Sequence, residues 1–147
     1  MILISACLAG IDCKYSGGNN LRQPLKKLYD EGKAVLACPE QLGGLPTPRV
    51  SSEIQDGRVI NTEGIDVTEQ FEEGARRSLE IYRENGCTMA VLKACSPSCG
   101  CGMIYDGTFS HTRIPGDGIF TQLLKKEGIP CMSDEEYLAK NSKSADD

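Results

Sequence analysis

Eight cysteines, at positions 7, 13, 38, 87, 95, 99, 101 and 131 of a 147-residue chain, are the side chains best suited to chemistry here. Thiolates are soft metal ligands and good nucleophiles. Three of the eight stand in KACSPSCGCG, Lys93 to Gly102, among serines, a proline and two glycines, directly behind the apolar run Met89 to Leu92. Glycines in such a loop let backbone amides come close to a sulfur or an anion. The local spacing Cys95-x3-Cys99-x-Cys101 could by itself seed a zinc site or a redox disulfide, giving a non-catalytic metal or thiol module. Cys7, Cys38 and Cys99 are too far apart in sequence for finger-type spacing, yet each follows an apolar run that reads as a buried strand. If those strands run parallel, with neighbours about 4.8 Å apart, the three thiols share one sheet edge. Three ligands on a four-iron cluster leave one iron open, as three on zinc leave an open position. The plain alternative is that Cys7 and Cys38 are ordinary core cysteines. Cys99, between Pro97 and Gly100, sits outside any regular element, which favours the ligand reading.

Compartment bears on all of these. MILISAC at the start has no basic region and too short an apolar core for a signal peptide, and no stretch reaches membrane-spanning length. A cytoplasmic protein with reduced thiols is therefore expected. The net charge of −5 with scattered Lys and Arg argues against a polynucleotide partner and towards a small molecule. No membrane partner is expected, and the oligomeric state is left open.

The elements that must position the thiols alternate between strand and helix. Ile2 to Ala6 reads as the first buried strand, Leu21 to Glu31 as a helix with Pro24 in its first turn, and Ala34 to Ala37 as the second strand running into Cys38-Pro39-Glu40. Gln41 to Arg49, QLGGLPTPR, reads as an irregular loop. Asp56-Gly57 predicts a hairpin that could form a rim over the site. Asp66 and Glu69 predict a capping pair for a long helix with inner stripe Val67, Phe71, Ala75, Ser78 and Tyr82. Met89 to Leu92 is the third strand. A second hairpin is expected across Asp106-Gly107, pairing Met103 to Tyr105 with Thr108-Phe109, and a sharp turn at 114–118. A helix over Ile119 to Glu127 capped by Asp117, a short strand Ile129 to Met132, and a last helix Asp134 to Ala139 capped by Ser133 complete the chain. The expected fold is α/β, a Rossmann-like three-layer sandwich with a mostly parallel central sheet and small hairpin insertions. Residues 1–139 form one domain and 140–147 a polar C-terminal tail. Gly17-Gly18 does not meet a dinucleotide fingerprint, so a nucleotide cofactor is not expected.

Other residues carry two readings at this point. Glu40 could be a surface carboxylate or a strand-end cap, and Ser96 before Pro97 could stabilise a turn. Arg49 could clamp an anionic or carbonyl group or be a solvated charge. Tyr15, Gly17 and Gly18 could line a pocket or pack a loop. His111, the single histidine, reads as a bystander.

ISACLAG at 4–10, YSGGNN at 15–20, ACPEQLGGLPTPR at 37–49, SPSCG at 96–100, YDGTFS and IPGDG together resemble the thiouracil desulfurase (desulfidase) family over nearly the whole chain. That resemblance implies a [4Fe-4S] cluster held by Cys7, Cys38 and Cys99, with the fourth iron free to take the sulfur of a thiolated pyrimidine base or nucleoside. It also implies Glu40 as the acid–base residue and Ser96 as a catalytic polar partner. Tyr15, Gly17, Gly18, Arg49 and Ser98 become the expected substrate contacts. The activity implied is a non-redox carbon–sulfur cleavage releasing sulfide. The chain departs from the family pattern at Ser16, where an acidic residue is frequent, and in carrying Cys13, Cys95 and Cys101 beside the ligand set.

Overall fold

The structure, a computed structural model, describes residues 1–145. Four short strands, β1 (Ile2–Ser5), β2 (Ala34–Ala37), β5 (Met89–Leu92) and β8 (Cys131–Ser133), form one parallel sheet in the order β2-β1-β5-β8. Parallel strands joined by crossovers need cover on both faces, so their side chains are apolar in both directions. Leu3, Ala90 and Leu92 point to the layer made by α3 (Thr68–Glu84) and α4 (Ile119–Lys126), packing with Ala75, Leu79, Phe120 and Leu124. Ile4 and Val91 point the other way, towards Leu25 of α1 (Gln23–Asp30) and Tyr137 of α5 (Asp134–Ala145). Each such fully buried Leu, Ile or Phe contributes about 1.5–3 kcal/mol. Two hairpins, β3–β4 (Ser52–Gln55, Arg58–Asn61) and β6–β7 (Met103–Tyr105, Arg113–Pro115), stand apart from the main sheet. This is the expected α/β sandwich with a parallel centre and small hairpin insertions.

Several local expectations are corrected. Gln41 and Leu42 are not loop but the end of a four-residue helix, α2 (Pro39–Leu42), started by Pro39 and followed by Gly43. Asp66 accepts from the Thr68 amide at 2.9 Å and pairs with Arg58, rather than closing a reciprocal box with Glu69. Asp117 does not cap α4; Gly118 occupies that place, and Asp117 instead accepts from the Gly102 amide and from Lys125. β6 pairs with Arg113–Pro115, not with Thr108-Phe109, so residues 106–112 form a loop in place of a tight turn. The last helix runs to Ala145, its start supported by the Glu136 amide on Ser133 Oγ at 3.0 Å. Residues 146–147 of the expected tail lie outside the described residues. The inner stripe of α3 is as expected: Val67, Phe71, Ala75, Ser78 and Tyr82 are all buried.

The position of α2 is set by backbone contact. A Cβ on Gly74 of α3 would lie 1.7 Å from the Pro39 carbonyl oxygen, and one on Gly43 would lie 1.9 Å from that of Gln70. No side chain fits between the two helices, so the segment carrying Cys38 and Glu40 is pressed onto α3. Helix propensity alone makes Gly→Ala in a helix interior stabilising by about 1 kcal/mol. Gly74→Ala is instead expected to destabilise by about 3 kcal/mol through overpacking, read as a fall in the urea midpoint at unchanged m-value.

Candidate functional site

The chain passes from β1 outward to β2 and then returns to the other side of β1 as β5, so the strand order reverses between β1 and β5. In open α/β sheets the crevice beyond the carboxyl ends at such a point is where ligands bind. There the structure opens a cavity of about 290 Å³, and Cys7, Cys38 and Cys99 all line it. Each is delivered by a different device. Cys7 sits in a 3-10 turn (Ala6–Ala9) closed by Gly10 in the left-handed conformation, and its sulfur accepts a hydrogen bond from Asn20 Nδ2 at 3.4 Å. Cys38 is the extended residue that precedes α2. Cys99 lies in a loop gripped by the N-terminus of α4, where helix amides have no intrahelical partner. The Ile119 and Phe120 amides donate to the Pro97 and Ser98 carbonyls, both at 2.8 Å, and Thr121 Oγ1 donates to the Cys99 carbonyl at 3.0 Å. Gly118 permits this grip, since a Cβ there would lie 2.5 Å from the Ser98 carbonyl carbon.

The thiols differ in electrostatic setting. Complete burial pushes Cys99 up to about 12, against smaller opposing hydrogen bonds from Ser5 and Ser98. Cys13, also on the cavity wall, lies beside Cys38 and Cys7, and Cys38 Sγ donates to its carbonyl at 3.8 Å; interaction with the Cys13 thiol holds Cys38 down to about 7 and Cys7 below the usual thiol range, while the Cys13 thiol is pushed up. A bound cationic metal offsets the desolvation that opposes a buried thiolate, and coordinating thiols are deprotonated outright. The donor set is soft, buried at Cys7 and Cys99 and half-buried at Cys38, and gathered from three strand ends, which fits an iron–sulfur group. Among the described residues no three Cys, His, Asp or Glu side chains converge closely enough to share one metal ion. A four-iron cluster spreads its ligands over different irons and needs no such convergence. The local zinc reading of Cys95, Cys99 and Cys101 is not supported by the geometry. Cys95 and Cys99 line the cavity, but Cys101 is absent from its wall and faces Cys131, with their sulfurs 3.8 Å apart.

Beside the thiols runs a polar chain. Glu40 Oε1 accepts from Arg49 Nε and Nη2, both at 3.2 Å, and Glu40 Oε2 accepts from Ser98 Oγ at 3.0 Å. Ser98 Oγ is also 2.9 Å from Ser96 Oγ and 3.6 Å from Cys99 Sγ. Since Ser98 has one hydroxyl proton, donation to Glu40 leaves Ser96 as donor to Ser98. Ser96 Oγ meanwhile accepts from the Ser98 and Cys99 amides at 3.2 and 3.1 Å, the turn-stabilising role weighed against a ligand contact. Arg49 lines the cavity and is not a solvated charge. Only 7% of its side chain is exposed, and its remaining donors go to the Pro46 and Cys13 carbonyls and to Thr47 Oγ1. It holds Glu40.

Of the other expected contacts, Tyr15 lines the cavity and is 48% exposed. Gly17 and Gly18 do not line it; their loop closes on itself through Gly17 N to Lys14 O and Lys14 N to Gly18 O. Asn20, Glu53, Lys93, Tyr105 and His111 do line it. His111 reaches the wall because the 106–112 loop is clasped by the other hairpin: Glu53 Oε1 accepts from the Gly107 and Phe109 amides at 3.0 and 3.2 Å. Its ring meets Tyr105 edge to face at 5.6 Å between centroids. Asn20 had a signal in the glycine–asparagine run that closes beside Cys7; His111 had none, because its place depends on a contact more than fifty residues away in sequence.

A sequence-family profile described as 2-thiouracil desulfurase matches residues 2–136. The chain is 44% identical over 146 residues to a Bacillus subtilis (strain 168) protein described as uncharacterized protein YbbK, covering 92% of this chain and 97% of that one. The solved structure of the [4Fe-4S]-dependent thiouracil desulfidase TudS superposes with a TM-score of 0.88 at 39% identity, covering 99% of this chain and 97% of that one.

Proposed function

This chain belongs to the 2-thiouracil desulfurase family, and on that premise we propose that it removes sulfur from a thiolated pyrimidine, exchanging C=S for C=O with one water and releasing sulfide without net electron transfer. The observation that carries the reading is the meeting, in one cavity, of three thiols from three adjacent strand ends with the Glu40–Ser98–Ser96 chain. Cys7, Cys38 and Cys99 are the proposed ligands of a [4Fe-4S] cluster, the cofactor of the similar desulfidase. When bound, the cluster supplies a soft Lewis-acidic iron suited to a thiocarbonyl sulfur.

The protein's own groups do the rest. Glu40, fixed by Arg49, accepts a proton from the attacking water; it stands one hydrogen bond from Ser98, which can pass that proton towards the sulfur side of the cavity at Cys99. Ser96 supplies the backing hydrogen bond that keeps the Ser98 hydroxyl oriented. The buried walls of Ala94, Cys95 and Ser98 keep bulk water from the reacting carbon. Tyr15, Tyr105 and His111 at the outer wall offer aromatic faces and edges to a planar ring. All eight cysteines are unpaired, which fits a reducing compartment.

Anaerobic iron–sulfur reconstitution followed by incubation with 2-thiouracil, 4-thiouracil and their nucleosides tests the reading. The expected result is catalytic sulfide release with loss of the thione absorbance for at least one of these. Full iron loading with no sulfide from any of them would overturn it.

A further inference from the structure

Cys87, Cys101 and Cys131 are the thiols left unused by the site, and the last two face each other. Both are half-buried, their sulfurs are 3.8 Å apart, and Cys101 lies outside the cavity wall. A disulfide needs about 2.0 Å between sulfurs, so these two must approach by less than about 2 Å to bond. We propose that Cys101 and Cys131 form a dithiol modification site that exchanges with low-molecular-weight disulfides to give an intramolecular disulfide.

The two partners sit on different parts of the fold. Cys131 opens β8 and pairs with Ala90 in the central sheet. Cys101 is in the loop behind Cys99, and the next residue, Gly102, is tied by its amide to Asp117, which also pairs with Lys125. The bond would therefore fasten the loop that carries Cys99 to the edge of the sheet. Cys101 donates to Cys131, which with the nearby Lys125 charge keeps the Cys131 thiol in its more nucleophilic form. With glutathione disulfide as oxidant, the Cys131 thiolate attacks one sulfur and expels a glutathione thiolate, forming a mixed disulfide. Cys101 then attacks the Cys131 sulfur of that mixed disulfide and expels the second glutathione. Two protein thiols lose two electrons in total, and one glutathione disulfide becomes two glutathione thiols, which take up the two protons.

The test treats iron-loaded protein anaerobically with glutathione disulfide, alkylates the remaining thiols, and maps tryptic peptides by mass. The expected product joins the peptide of residues 94–113 to that of residues 127–140 with loss of two hydrogens, and is absent from both Cys101→Ser and Cys131→Ser. The melting temperature of the wild type should rise by roughly 5–10 °C on treatment and that of each variant should not. Recovery of both cysteines alkylated, or glutathione retained on one of them with no cross-link, would overturn the proposal. The peptide map is read without any substrate, so this outcome and failure of the desulfuration assay are separate results.

Discussion

Replacing Cys7, Cys38 or Cys99 singly by alanine is expected to leave a folded protein that no longer holds iron and sulfide in cluster stoichiometry and has lost sulfide release by more than about 10³-fold. The three thiols come from three separate strand ends, with Cys13 and Cys95 as the other thiols on the same cavity wall. Alanine is the informative choice at Cys99, which is 3% exposed. Serine would bring a hydroxyl into that buried position, whereas removing one sulfur costs only about 1 kcal/mol of packing. Urea midpoints should accordingly stay near wild type while iron content collapses. Cys13→Ala and Cys95→Ala are the controls that separate cluster ligands from cavity wall, and both should keep the visible absorption of the cluster. Retention of a full iron complement in any of the three primary variants would remove that residue from the ligand set.

Glu40→Gln should keep its iron and lose about 10²–10⁴-fold in kcat, with a smaller change in KM. The amide preserves the shape of the side chain but cannot take up a proton. It also leaves the Arg49 guanidinium, 7% exposed, without its counter-charge; breaking a pair as buried as this one costs up to about 3 kcal/mol, lessened here by the carbonyl acceptors that Arg49 keeps. Two readouts separate a lost proton acceptor from a shifted loop. Added formate should restore part of the rate to Glu40→Ala but none to Arg49→Met, and iron content should be equal in all three. A Glu40→Gln enzyme within tenfold of wild type would transfer the acid–base role elsewhere.

What could be read from the residues alone was the frame. Ile2 to Ala6, Ala34 to Ala37 and Met89 to Leu92 are largely apolar in both directions and each leads to a cysteine, and a parallel sheet follows from such runs alternating with helices; the first of these strands ends at Ser5 in the fold. Local signals failed where a distant contact overrides them. Asp106-Gly107 has the composition of a tight hairpin turn, but the Gly107 amide is taken by Glu53 and its carbonyl by Gln55, so the chain is drawn across to the other hairpin and turns later. Gln41-Leu42 precedes two glycines and still completes a helical turn, because Gly43 and Gly74 let α2 lie directly on α3. Arg49 read as either a clamp for a ligand group or a solvated charge; only the fold reveals its ion pair with Glu40, nine positions earlier, on the wall of the cavity.

The two clasped hairpins carry a consequence for redesign. They share no ladder with the central sheet, and they furnish Ser52, Glu53, Tyr105 and His111 to the cavity wall while Cys7, Cys38 and Cys99 come from segments that follow the strands of that sheet. Entrance and hearth are thus separate pieces of architecture. A foreign segment grafted at 106–112, provided it still offers two amides to Glu53, recuts the doorway for a bulkier guest while the furnace beneath stays as it was.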